Sequence, residues 1–175
     1  MDFFPPAWLV SSLTWFQTTT KFPEFVNAHG WIWAASETVH FMGICLLMGT
    51  IGAFDLRLLG MAKNLPIGPL QRLIPWGVLG FGICLATGML FVLGNYWSAN
   101  AYFNNMAFKW KMGLILLAGV NVLIFTLTKM DRAVAVVGSG ASAPMGAKVI
   151  AGTSLALWIG VIFWGRFLPI LGDAF

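Results

Sequence analysis

The chain has 175 residues, of which 59% are hydrophobic and only 9% are charged, and its mean hydropathy is +0.83. A soluble domain carries roughly a quarter charged residues, so this chain could not cover its own surface in water. The formal net charge of +4 lies in short flanking loops, with no basic stripe of the kind that binds nucleic acid. The composition therefore excludes a soluble domain and gives no sign of a nucleic-acid partner.

The apolar runs predict an all-α integral membrane four-helix bundle. A helix needs about 20 residues to cross the hydrocarbon core, and four runs reach that length, at about 31–54, 73–96, 110–128 and 148–168. Backbone groups in lipid must be satisfied within their own segment, so these runs are expected to be helices. We assign residues 1–30 to an N-terminal interfacial segment, with a short helix between Pro6 and Phe22, and residues 31–175 to the transmembrane domain.

The basic residues predict the orientation. The first and third connections hold six Lys and Arg residues, and the opposite side holds four. Basic loops stay on the cytoplasmic side, so both termini of this multi-pass protein are expected on the opposite side, which in a bacterial inner membrane is the periplasm. We call the side expected to hold both termini outer and the opposite side inner.

Ionisable residues inside the spans are the candidate site residues. Glu37, His40, Lys111 and Arg166 all fall in the outer half of their predicted helices. Such groups are costly in lipid and usually face a partner, a cavity or a cofactor. His40 lies nine residues below Trp31, about 14 Å deep, and Glu37 is one turn nearer the outside on the same face. We therefore predict that these four residues share one site.

Glycine recurs at the depth of His40 in the other three helices. Counting nine residues inward reaches Thr87 and Gly88 in the second, Gly119 in the third, and Gly160 in the fourth. One interpretation is room for a flat, bulky cofactor. The other is close packing, since small residues let membrane helices approach one another.

Other ligand sets are less well supported by the sequence. Asp55 and Asp131 are placed at or beyond the ends of spans, so the inward acids that a di-iron carboxylate centre needs are missing. Arg57 is expected to snorkel to the inner interface, and His29 to lie in the outer interface. Cys45 and Cys84 are expected to be apolar fillers.

The chain resembles a family of uncharacterised four-helix bacterial membrane proteins, through the segments ETVHFMGICLLMGTIGAFDLRLLG, LIPWGVLGFGICLATGML, AFKWKMGLILLAGVN and WIGVIFWGRFLPIL. More distantly, its layout is similar to two other groups. One is the haem-binding four-helix membrane protoporphyrinogen oxidase, with matching positions at His40, Arg57, Pro75 and Lys111. The other is the copper-resistance D type of membrane protein, which shares the first-helix histidine.

The residue inventory favours haem b. A neutral imidazole is a standard ligand of haem iron, and His40 would supply it. Gly88, Gly119 and Gly160 would make room for the ring, while Lys111 and Arg166 would pair with the propionates. Glu37 would support the histidine. The expected function is electron transfer or oxidoreduction, with a quinone or a membrane redox partner. Whether the protein is an enzyme stays open.

Two alternatives remain open. Copper or another cation could be handled by His40 with soft ligands, drawn from Met42, Met48, Met89, Cys45 and Cys84. A non-catalytic anchor or assembly subunit of a larger membrane complex is the other. Membrane lipid is the expected surrounding partner, and the chain is expected to form a homo-oligomer or to join a larger complex.

Overall fold

The fold is all-α. The computed structural model describes residues 6–95 and 99–171. Within these residues the helices are α1 (Ala7–Thr19), α2 (Phe22–Ala28), α3 (Gly30–Leu47), α4 (Ala53–Leu59), α5 (Ile67–Gln71), α6 (Ile74–Gly94), α7 (Ala99–Asn104), α8 (Met106–Leu127), α9 (Met130–Ala135) and α10 (Met145–Phe167). A π-helical turn, Met48–Gly52, joins α3 to α4, and we call it the π turn.

Four helices are long and apolar enough to cross a membrane, which confirms the predicted all-α four-helix bundle. They are Gly30–Leu59, Ile67–Gly94, Met106–Leu127 and Met145–Phe167. The second span was predicted to end at residue 96, which lies outside the described residues; α6 itself ends at Gly94. The third span begins four residues earlier than predicted, because the side chain of Asn105 accepts hydrogen bonds from the backbone N–H groups of Ala107 and Phe108 and caps α8 there.

The first span continues five residues beyond the predicted end at residue 54. It stops at Leu59, where Gly60 has a φ of +102° and closes the helix in the left-handed conformation that glycine adopts most readily. Asp55 and Arg57 are therefore inside the helix. The sequence had suggested an end before them because both side chains are charged.

Two helix pairs build the bundle. In the first pair, α3 packs closely on α6, and in the second, α8 packs on α10. The pairs join chiefly at the inner end, where α4 packs on α10, and the rings of Phe81 and Trp158 bridge α6 and α10 with centroids 6.0 Å apart. In the outer half, α3 makes no extensive backbone contact with α8 or α10.

Glycines set the spacing of the first pair. A Cβ atom added at Gly80 would lie 2.7 Å from the backbone oxygen of Gly43 and 2.7 Å from the backbone nitrogen of Leu47. One added at Gly43 would lie 2.9 Å from the Gly80 oxygen. Here the small residues allow two backbones to touch, as is usual in membrane helix packing.

The N-terminal segment forms two helices against the outer end of the bundle, with α1 spanning the region where one short helix was predicted. Gln17 donates to the carbonyl oxygen of Val92 at 2.9 Å, and Val26 is buried where its side chain packs against Gly94. These contacts attach the segment to α6.

At the inner end, an apolar cluster is formed by Phe54, Leu58, Ile67, Val134, Ala143, Ala147 and Ala151, and we call it the inner plug. Arg57, which was expected to snorkel, is only 1% exposed. Its guanidinium donates from Nε to the Leu65 carbonyl and from Nη2 to the Gly138 and Ala141 carbonyls, at 3.3 and 3.2 Å. Arg57 thus ties the first and third connections to the bundle, because buried carbonyl groups need donors.

Candidate functional site

His40 lies in α3, in the outer half of the first span, and is half-buried against α6. Its Nδ1 atom is 2.6 Å from Oγ1 of Thr87, and its ring is 5.4 Å from the ring of Phe91, centroid to centroid. Gly43, about one helical turn after His40, packs closely on Gly80 of α6. This contact fixes the backbone that carries the imidazole.

The contacts of Thr87 bear on which ring nitrogen of His40 carries the proton. The Thr87 hydroxyl lies 2.7 Å from the carbonyl oxygen of Ile83, one turn earlier in α6. A hydroxyl has one hydrogen, so when Thr87 donates to Ile83 its oxygen accepts from His40. Nδ1–H of His40 is then the donor, and Nε2 carries the lone pair that a metal ligand requires. In the described part of the chain, no residue hydrogen-bonds to Nε2.

Cys84 lies directly beneath His40. Its thiol donates to the carbonyl oxygen of His40 at 3.6 Å and sits where a side chain on Gly43 would have to go. The thiol is therefore used in packing α6 on α3, as expected for a membrane cysteine filler.

Lys111 faces the same region from α8. It interacts electrostatically with both His40 and Cys84, and its Nζ atom would be 3.5 Å from a Cβ atom placed on Gly165 of α10. A half-buried ammonium group therefore stands between the two helix pairs, on the side of α3 and α6 that carries His40.

The other predicted site residues are not gathered around His40. Glu37 and Arg166 are exposed on the surface of the bundle. Among the glycines, Gly88 has no atom within 4 Å of an added Cβ, and Gly119 is likewise open but exposed. An added Cβ on Gly160 would lie 2.9 Å from Leu114, so the space beside this glycine is filled by a side chain. The structure thus brings together His40 and Lys111 of the predicted set, with Thr87 and Phe91 added.

Several of the soft ligands proposed for copper lie on the surface of the bundle. Met42 is 64% exposed, Met89 is 46% exposed, and Cys45 is also exposed. Across residues 6–95 and 99–171, no three His, Cys, Asp or Glu side chains come together as a metal cluster. His29 is exposed, and its Nδ1 pairs with the carbonyl oxygen of Phe25 at 2.9 Å.

A second polar region lies in the inner half and was missed by the sequence reasoning. Asp55 is 5% exposed, and Ser154 of α10 lies within hydrogen-bonding reach of its carboxyl group. Asn121 of α8 is also buried and donates to the carbonyl oxygen of Ile150, one turn before Ser154. The only sequence signal was the position of Asp55, one residue past the predicted helix end.

Comparisons with models of protein families, with curated proteins and with solved structures find no match to this chain.

Proposed function

We propose that this protein binds haem b in the outer half of the bundle, with His40 as an axial ligand, and serves electron transfer or oxidoreduction. One observation carries the proposal: His40 is held against α6 through Nδ1, which contacts Thr87, and Nε2 has no hydrogen-bond partner among the described residues. Haem iron takes a neutral imidazole, and one protein ligand is enough to hold it. Bound haem would supply a one-electron redox centre.

The residues around His40 suit an apolar group with an anionic edge. Thr87 contacts Nδ1 of the imidazole, and Phe91 packs against the ring, which restricts its rotation. The loose contact between the two helix pairs in the outer half supports insertion of a flat group there. Lys111 would offer its ammonium group to a propionate, since a cation in this setting needs a partner. Arg166 and Glu37 are exposed and would lie at the edge of the haem site.

The alternatives have less support. A copper site within the described residues has less support, because Cys84 is occupied in packing and Met42, Met89 and Cys45 are exposed. Met48 lies eight residues from His40, about 12 Å along the same span. An anchor subunit would not require a histidine held through one ring nitrogen. We propose a membrane quinone or a redox protein as the partner. The basic-residue bias supports a position of His40 in the outer half of the membrane, which in a bacterial inner membrane is the periplasmic half.

The test is to purify the protein after expression with added haem precursor and to record absorption spectra before and after reduction. We expect a Soret band and reducible α and β bands in the wild type. His40→Ala should abolish them. Thr87→Val, which keeps the shape but removes the hydroxyl, should weaken haem affinity by about 10–100-fold, the usual effect of losing a ligand's supporting hydrogen bond.

His29→Ala is the matched control and should leave the spectrum unchanged, because His29 is tied to α2 far from the site. Far-ultraviolet circular dichroism checks that each variant folds. A wild-type protein that takes up no haem on reconstitution, or a His40→Ala protein with an unchanged spectrum, would overturn the proposal.

A further inference from the structure

The carboxyl group of Asp55 is buried within a membrane-spanning helix without a counter-ion. Its exposed fraction is 5%, and its Oδ2 atom has no hydrogen-bond partner in the described part of the protein. Arg57, two residues along, forms no ion pair with it in the described residues: its Nε and Nη2 donate to carbonyl groups of the two inner connections, and its Nη1 has no hydrogen-bond partner.

Within the described residues, no charged side chain of the neighbouring elements forms an ion pair with Asp55. The helices packed most extensively on α4 are α10 and α5, together with the π turn, and their charged residues are Lys148 and Arg166 of α10. Helices α8 and α9 also contact α4, through Phe125 and Val134, and they carry Lys109, Lys111, Asp131 and Arg132. Lys148 is six residues before Ser154, about 9 Å along the helix, and Arg166 is twelve residues after it, about 18 Å. The group closest to the Asp55 carboxyl on α10 is the neutral hydroxyl of Ser154.

An isolated carboxylate at such a site is unfavourable by several kcal/mol, so the group must be neutralised. A metal cation would need several oxygen ligands, and the described residues bring no group of three acids, histidines or cysteines together. A proton needs only the carboxyl group. We propose that Asp55 is a proton-binding site in the inner half of the bundle, with Ser154 as its hydrogen-bonding neighbour and the inner plug separating it from the aqueous phase.

The surroundings of Asp55 suit binding and release better than a purely structural role. The adjacent π turn is an irregularity that often accompanies functional positions in helices. The site is fifteen residues from His40, about 22 Å along the same span. It is therefore distinct from the outer site, and the proposal does not depend on haem.

The first test is infrared spectroscopy of the purified protein at neutral pH, comparing wild type with Asp55→Asn. Asparagine has nearly the same shape and no charge, so the bundle should fold. We expect a carboxylic-acid C=O band in the wild type that disappears in the variant. Ser154→Ala should shift this band without removing it, which keeps the test valid if Asp55→Asn misfolds. Absence of any acid band that responds to these two changes would overturn the proposal.

The second test uses dicyclohexylcarbodiimide, an apolar reagent that modifies protonated carboxyl groups. Peptide mapping by mass spectrometry separates Asp55 from Glu37 and Asp131. We expect modification at Asp55 that falls as the pH is raised and is unchanged by sodium ions at constant pH. Protection by sodium would identify a bound sodium ion instead and would overturn the assignment of a proton.

Discussion

Replacing Gly80 by alanine tests whether the contact between α3 and α6 is as close as described. The new Cβ atom would stand 2.7 Å from two backbone atoms, the Gly43 oxygen and the Leu47 nitrogen, which cannot rotate away. Overpacking of this kind costs about 1–3 kcal/mol, and backbone contacts place this site at the upper end. The change should also loosen the support of His40 and Thr87.

Gly82→Ala, on the same helix as Gly80, is the matched control. A Cβ atom added at Gly82 has no neighbouring side chain or helix within 4 Å. Both variants gain the same helix propensity, about 1 kcal/mol, so their difference isolates the steric cost. At roughly 2–4 °C per kcal/mol, a cost of about 2–3 kcal/mol lowers the Tm of Gly80→Ala by about 4–12 °C relative to Gly82→Ala. Thermal unfolding in one detergent, followed by circular dichroism at a fixed scan rate, measures it. Equal Tm values would refute the close contact.

Two further variants test the inner and outer ends of the bundle. Arg57→Met removes the donors for three loop carbonyl groups and should destabilise the protein by at least about 3 kcal/mol, since one hydrogen bond to a charged donor is worth about 1.5–3 kcal/mol. Limited proteolysis within residues 136–143 should then be faster than in the wild type. An unchanged cleavage rate would contradict the role of Arg57. Asn105→Ala loses both the cap of α8 and the bond from Nδ2 to the Leu168 carbonyl at 3.0 Å, for about 1–2 kcal/mol in thermal unfolding. Asn105→Asp keeps the cap and should lose less; an equal loss would show that the cap contributes nothing.

The helix count could be predicted because it depends on apolar length. Counting residues at 1.5 Å each also reached Thr87, the residue that the structure places against His40. The side chain that each helix turns inward was harder to predict, since the spans are apolar on every side. Glu37 shares a face with His40, yet it lies three residues away, about 60° around the helix, and that rotation is enough to expose it.

Asp55 and Arg57 were placed at or beyond the inner end of the first span for a physical reason that usually holds: charged side chains end apolar runs. Here the carbonyl groups of the inner connections surround Arg57, and neutral groups surround Asp55. Most of these partners are distant in sequence: the carbonyl of Leu65 is eight residues from Arg57, but residues 138, 141 and 154 lie more than eighty positions away. No pattern within the first span indicates them.

The π turn makes the first span a helix with two independent faces. Before it, α3 packs on α6; after it, α4 packs on α10. Each residue of a regular helix turns the chain by about 100°, and a π turn holds one extra residue in its hydrogen-bonded turn, so rewinding Met48–Gly52 as α-helix with all five residues kept would swing α4 by about that angle relative to α3. Asp55 would then leave Ser154 while His40 stayed on Thr87. The π turn therefore sets the rotation of α4 relative to α3. Rewinding its five residues would change which side chains of α4 face α10 without disturbing the packing of α3 on α6.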